Sequence, residues 1–497
     1  MELLLGIDIG TTNVKAVLAT PEGQVIAQAS VSYPLAHPRP GWAEQDPADW
    51  WQGAVQVVRT LVARADVRPE QIQGIGVSGQ GCAVTLLDGR GRVVRPAIIW
   101  MDSRAEPQCD VLRARCADVI LQRNGKQPSP YNADPSLMWL RDHEPESLAA
   151  AQVSLTTTGY MNFRLTGRPV ENLSDASILF AFDLATESWS EELIHCFGLP
   201  RHLYPQLVRC QEVIGPLTQQ AAADLGLRPG IPVVGGGEDT SSAGLAIGVV
   251  SPGQALLSLG TAGTLYTVQD EPVVDRHLIA FLHVLEGQIL LGGSMTAVGA
   301  SLAWCRRWIG EELDYQALVT LAAQSRPGAG GLLYLPYLSG ELQPINDGYA
   351  RGLFFGLNMG TDRSDLVRAV LEGTAFAIRH NLQVTLDAGV AVHEIRAVGG
   401  PTRSRLWCQI IADVTGQPVS VLAEGAGAPL GNALLAAAGI GLIADAGATA
   451  RRAARVQELF APDPEAHALY DRLFPIYRSL YPALKEQFAA LVRAAQA

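Results

Sequence analysis

The strongest constraint on this chain is a unit that occurs twice: an apolar strand, a glycine-threonine turn, and a second apolar strand. Leu3, Leu5, Ile7 and Ile9 alternate into Gly10-Thr11-Thr12, and the alternation resumes at Val14, Ala16 and Leu18. A period of two is the signature of a half-buried strand, so the segment is expected to be a hairpin with a tight, hydroxyl-rich tip. Ala255 to Tyr266 repeats the same events around Gly260-Thr261-Ala262-Gly263-Thr264. A duplicated unit predicts two similar halves, and 497 residues exceed what one core usually holds. The boundary is expected near Val250-Pro252-Gly253, giving domains 1–250 and 251–497 with a cleft between them.

The elements around each hairpin narrow the topology. Val25–Ala29 reads as a third strand, and Asp46-Pro47 supplies an N-cap and first-turn proline for a helix bearing Ala54, Val58, Leu61 and Val62. Another strand follows at Ile72–Gly76. Three antiparallel strands, a helix and a strand are the opening of a ribonuclease-H-like or actin-like domain. In the second half, strands are expected near 279–285, 289–291 and 395–398. Helices are expected near 297–308, 365–386, 403–415 and 430–440, and the chain beyond Pro462 is helical in pattern. The fold class expected is therefore α/β, with two ribonuclease-H-like or actin-like domains around a central cleft.

Phosphate oxygens need backbone N–H groups and hydroxyls converging from a loop without bulk, and Gly10-Thr11-Thr12 offers both, with Lys15 close by. Asp8 precedes the turn, where it can hold Mg²⁺ through water. A purely structural hairpin would read the same way; the recurrence at Gly260-Thr261 favours two loops that clamp a triphosphate from either side. A Walker loop is excluded, because Lys15, Lys126 and Lys485 are the only lysines and none lies in a GxxxxGK[ST] context. Gly74-Ile75-Gly76-Val77-Ser78-Gly79 matches a dinucleotide fingerprint in form, yet it runs into the apolar Val84–Leu87 instead of opening a helix. Val233 through Gly237 ends a strand in bare glycines, and Glu238-Asp239-Thr240-Ser241-Ser242-Ala243-Gly244 starts a small-residue helix. A carboxylate there can serve as a general base kept ionised by the helix dipole, or Asp239 or Thr240 can simply cap the helix.

Composition closes off other classes. Charged residues are only 17 % against 48 % hydrophobic, which argues against disorder. A net charge of −12 without a lysine or arginine run offers no footprint for nucleic acid. The seven cysteines are scattered without metal-ligand spacing and read as reduced thiols. Neither a signal peptide nor a membrane span is expected, so the location expected is the cytoplasm.

The ordered set of motifs resembles the FGGY family of carbohydrate kinases, in the pattern of xylulokinases. It comprises 6–12, 41–47, Ser78-Gly79-Gln80, Arg95–Arg104, Ser174-Asp175-Ala176-Ser177, the glycine loop with Asp239, Ser258–Thr261, Tyr334–Glu341, Glu372-Gly373 and Val398–Ser404. The resemblance implies two domains that close over a sugar and MgATP. Asp239 would be the catalytic base and, with Asp8, border the metal. Gly10, Thr11, Thr12, Lys15, Gly260 and Thr261 would hold phosphates, while Gly399, Gly400, Ser404 and Asn432 would border the adenosine. Gln80, Gly81, Cys82, Trp100, Asp102 and Arg104 would face the sugar. Asp102 and Arg104 would share one face if their backbone is extended, and Trp100 by itself reads as core. Trp42, Trp50 and Trp51 read as packing residues.

Two departures stand out. Xylulokinases continue Ser-Gly-Gln with Met-His-Gly, where this chain has Gly81-Cys82-Ala83, and Glu238 joins Asp239 where one acid usually follows the glycines. The expected reaction is phosphorylation of D-xylulose to D-xylulose 5-phosphate. Another sugar or polyol acceptor (ribulose, glycerol, erythritol) stays open, as do a non-catalytic sensor and a homodimer.

Overall fold

The computed structural model describes residues 1–64, 67–423 and 427–496. Two seven-stranded mixed sheets organise them. In the first, Leu3–Ile9 lies between its antiparallel hairpin partner Asn13–Ala19 and the parallel strand Ile72–Gly79; Val25–Ser32 flanks one side, and Pro232–Val234 and Val213–Pro216 the other. In the second, Gln254–Leu259 lies between hairpin partner Gly263–Gln269 and parallel Glu394–Gly399. The three antiparallel strands and parallel neighbour of the first sheet thus recur in the second, where Ile289–Met295 is the third strand and Ile279–Leu282, inserted before it in the chain, pairs on its outer side. The crossover in each half carries a helix, Pro47–Arg64 in the first and Arg363–Asp387 in the second.

Buried apolar alternation explains these elements. All seven residues of Leu3–Ile9 are buried, as expected for a central strand covered on both faces. Helix Pro47–Arg64 lays Trp50, Ala54, Val58 and Leu61 on the first sheet. The C-terminal segment is one helix, Pro464–Gln496, with Pro475 and Pro482 inside it, and Tyr470, Phe474 and Tyr477 pack into the second core.

Helix Ala428–Gly439, late in the sequence, covers the first sheet. A Cβ on Gly6 would lie 1.7 Å from the Pro429 carbonyl oxygen, and one on Gly76 would lie 2.3 Å from that of Asn432. On its other side, a Cβ on Gly431 would lie 2.0 Å from the Ser242 carbonyl oxygen. Glycines on strand and helix let the backbones touch, and Leu430, Ala433 and Leu434 join Leu4, Val17 and Val234 in one cluster. Among the described residues no helix is long and apolar enough to cross a membrane.

Candidate active site at the strand ends

The first sheet brings three parallel strands to one edge in register. Asp8 pairs with Ser78 and Ser78 with Gly237; one rung on, Ile9 pairs with Gly79 and Gly79 with Glu238. The chain therefore delivers Gly10, Gln80 and Asp239 together just past the carboxyl ends of the strands, where open α/β sheets place ligands. Asp8 is 7 % exposed; its Oδ1 accepts from the Ser78 hydroxyl at 2.8 Å, and its other oxygen has no partner among the described residues. Burial, then the charge of Asp239, push the Asp8 carboxyl up to about 7, against the Ser78 hydrogen bond and Lys15, its cross-strand neighbour.

Both hairpin tips have their carbonyls turned into the protein. The Gly10 carbonyl accepts from the Tyr33 hydroxyl, Thr11 O from Gln45 Nε2 at 2.7 Å, and Thr12 O from the Tyr33 amide at 3.2 Å. In the second tip, Gly260 O accepts from Gly299 N at 2.9 Å, and Thr261 O from both Val298 N and Ala300 N at 3.0 Å. Among the described residues the amides of Thr11, Thr12, Thr261 and Ala262 have no acceptor. Each tip thus presents N–H groups outward with its carbonyls occupied, which is the polarity an anion requires.

The adjacent acids divide the work at helix Asp239–Ala246. The expectation that Asp239 or Thr240 caps this helix is corrected: Glu238 is the N-cap, its Oε2 accepting from Ser241 N at 2.8 Å. Glu238 is buried, and burial together with Asp239 holds its carboxyl well above the usual range. Asp239 is half-buried, and its Oδ1 accepts from the neighbouring Thr240 hydroxyl at 3.0 Å. It is therefore the acid of the two that a ligand can reach. Asp175, fully buried on helix Leu173–Ile178, is pushed up to about 7, chiefly by burial.

Across from the first tip, Gln80 Nε2 donates to Gln45 Oε1 at 2.6 Å, while its own amide oxygen is buried without a partner among the described residues. A Cβ on Gly81 would lie 2.5 Å from Ile178 Cδ1, so a side chain there would require the end of Ile178 to move. Cys82 has a left-handed backbone, φ 56°, with its sulfur 3.7 Å from Asn132 Nδ2. Trp42 is half-buried under the Arg104 guanidinium, 3.6 Å from its ring centre; Trp50 and Trp51 are buried, as packing residues should be.

Three expectations need correction. Trp100 is not core: it is 40 % exposed, and its indole N–H donates to Thr11 Oγ1 at 2.9 Å, tying the sugar-side loop to the first tip. Asp102 and Arg104 do not sit on an extended strand; they form a buried bidentate pair in the loop beyond Ala97–Ile98, with Asp102 accepting also from Ala43 N. Asp102 is fully engaged and holds Arg104, whose Nη1 is buried without a partner. Asn432 is completely buried, donating to Ile7 O at 3.0 Å and accepting from the Ser242 hydroxyl at 3.1 Å, so its amide braces helix Asp239–Ala246 against the first strand instead of bordering a nucleotide.

At the second sheet's edge Gly399 pairs with Leu259, beside the Gly260 tip. It adopts φ 110°, and a Cβ there would lie 1.9 Å from the Leu259 carbonyl, whereas Gly400 faces open space. Ser404 caps helix Arg405–Thr415, accepting from Trp407 N at 3.2 Å. Tyr33 and Gln45, the anchors of the first tip, were not expected as site residues. Gln45 lies within the Gly41–Pro47 motif, which is the one signal that could have found it.

Two halves of one topology, each ending in a tip of outward amides, with an accessible carboxylate beside the first, define a phosphotransferase of the sugar kinase class. The chain belongs to the FGGY family of carbohydrate kinases: the model of the family's N-terminal domain matches residues 3–246 and that of its C-terminal domain 255–440. It is 31 % identical to the xylulose kinase of Bacillus subtilis over 99 % of both chains. Its fold is similar to that of the xylulose kinase from Rhodospirillum rubrum, with TM-score 0.92 and 36 % identity over 98 % of this chain and 100 % of that one. It is similar also to a gluconate kinase from Lactobacillus acidophilus, with TM-score 0.94 and 26 % identity over 99 % of each.

Proposed function

We propose that this carbohydrate kinase transfers the γ-phosphoryl group of ATP to the terminal hydroxyl of D-xylulose, giving D-xylulose 5-phosphate and ADP. The observation that carries the reading is the register placing Gly10, Gln80 and Asp239 at one edge, with Asp239 the reachable carboxylate beside a tip of outward amides. Asp239 takes the hydroxyl proton as the sugar oxygen attacks phosphorus in line, and the bond to the ADP oxygen breaks. The free amides at Thr11–Thr12 and Thr261–Ala262 hold the phosphates, so that catalysis rests on positioning and charge neutralisation. Gly399, Gly400 and Ser404 border the adenosine, and Gln80, Cys82 and Arg104 the sugar.

Mg²⁺ fits the residues present. Asp8 keeps one unpartnered oxygen, and its mutual repulsion with Asp239 is what a divalent cation between them relieves. This ion takes one or two carboxylates plus phosphate oxygens, so the lack of a larger ligand cluster among the described residues agrees with it. When bound it neutralises charge on the transferring phosphate. The expected setting is the cytoplasm. An ADP-release assay across ketopentoses, polyols and aldonates, with and without Mg²⁺, tests the reading. The highest kcat/KM is expected for D-xylulose with the metal, and a preference for any other acceptor refutes that substrate.

A further inference from the structure

The second sheet turns a strip of hydroxyls toward the first half. Ser258, Thr264 and Ser294 are register neighbours across three adjacent strands, all half-buried, and Tyr266 lies two residues beyond Thr264 on the same face. The Tyr266 hydroxyl sits 3.2 Å from Ser294 Oγ, and Thr264 Oγ1 is buried without a partner. Tyr266 belongs to the same contiguous cluster as Val84, Ile98 and Ile178 of the first half, with Cys82 packed against that cluster. That cluster sets the ring beside the Gly81-Cys82 corner, where a Cβ on Gly81 would lie 4.0 Å from Glu238 Cγ, and burial raises the phenol.

This edge of the second sheet is fixed to the first half by polar contacts. Ser177 Oγ accepts from Leu282 N at 2.8 Å, and Ser241 Oγ from Val284 N at 2.8 Å. Lys126 Nζ, buried, donates to the carbonyls of Asn124, Ser177 and, at 2.6 Å, Ala280. Strand Ile279–Leu282 is therefore held beside helices Leu173–Ile178 and Asp239–Ala246, and Tyr266, whose ring meets Phe281 edge-on at 5.0 Å, is held with it.

We propose that the second half supplies a wall of the acceptor pocket, and that Tyr266 is its specificity-determining residue, holding a non-reacting hydroxyl of an uncharged polyhydroxy acceptor opposite Asp239. The strip itself carries hydroxyls and no cation, and the charges of Glu238 and Asp239 act on Tyr266, so it suits a neutral sugar and not an aldonate. The inference rests on the kinase reading above and adds the contact that orients the acceptor.

The test is Tyr266→Phe, which keeps the ring and removes only the O–H. KM for the preferred acceptor is expected to rise about five- to tenfold, as for one neutral hydrogen bond, with KM for ATP and the melting temperature unchanged. An acceptor deoxygenated at the contacted position should be poor with the native chain and no poorer with Tyr266→Phe. Ser294→Ala, which removes only the orienting partner, should show a smaller rise and serves if the phenylalanine variant does not fold. Unchanged acceptor KM in both variants, equal losses for every deoxy acceptor, or a matching rise in KM for ATP overturns the proposal. Absence of any acceptor phosphorylation by the native chain would instead overturn the kinase reading.

Discussion

Replacing Asp239 by Asn should move activity and stability in opposite directions. The substitution keeps size and shape, and because Glu238 caps the helix, the helix start is left intact. Loss of a general base lowers kcat by about 10² to 10⁴. Stability responds through the neighbouring acids. The Asp8 carboxyl stands at about 7 in the folded chain against its ordinary 3.8, so between those values the folded state binds the extra proton. Stability from this group falls as pH rises from about 4 and is lost above about 7; three units amount to about 4 kcal/mol at pH 8. Burial is the larger cause and Asp239 the next, so removing the Asp239 charge should return about 1 kcal/mol at pH 8 without metal. The difference should vanish near pH 4, where Asp8 is protonated in both variants. Melting curves from pH 4 to 8 in chelator, with steady-state kinetics in Mg²⁺, measure both effects. An Asp239→Asn variant that is less stable than the native chain at pH 8, or that keeps more than a tenth of its kcat, refutes the reasoning.

Two further substitutions probe the scaffold. Gly6→Ala places a carbon 1.7 Å from the Pro429 carbonyl, so helix Ala428–Gly439 must move; a loss of about 3 kcal/mol or more is expected in urea unfolding, with kcat falling because that helix braces the base. Trp100→Phe removes the indole donor to Thr11; kcat/KM should drop about fivefold, and melting should hardly change because the ring is 40 % exposed.

Much of the fold was legible because it is written in local patterns. The strands flanking Gly10 and Gly260 alternate cleanly, and glycine with threonine at a turn is a signal with a direct physical cause. What escaped depends on partners distant in sequence. Trp100 reads as core by hydropathy, and only its bond to Thr11, 89 residues away, explains its exposure. Asn432 lies in a helix whose pattern says nothing of Ile7, 425 residues upstream. Two adjacent acids look alike as letters; burial separates Glu238 from Asp239, and burial is a property of the folded neighbourhood. Asp102 and Arg104 were legible as a pair, but not their geometry, because the loop after Ala97–Ile98 is not extended.

The placement of helix Ala428–Gly439 has a consequence for synthesis. A ribosome releases the strands of the first sheet early, but the helix that covers Leu4, Val17 and Val234 follows only after about 180 further residues, a delay of about 10 to 40 s at ordinary elongation rates. Throughout that interval the nascent first sheet carries a bare apolar face, ready for a chaperone or for another unfinished chain. Ending translation after the first half would therefore leave an uncovered sheet, and the order in which the gene is read makes its last third a folding requirement for its first.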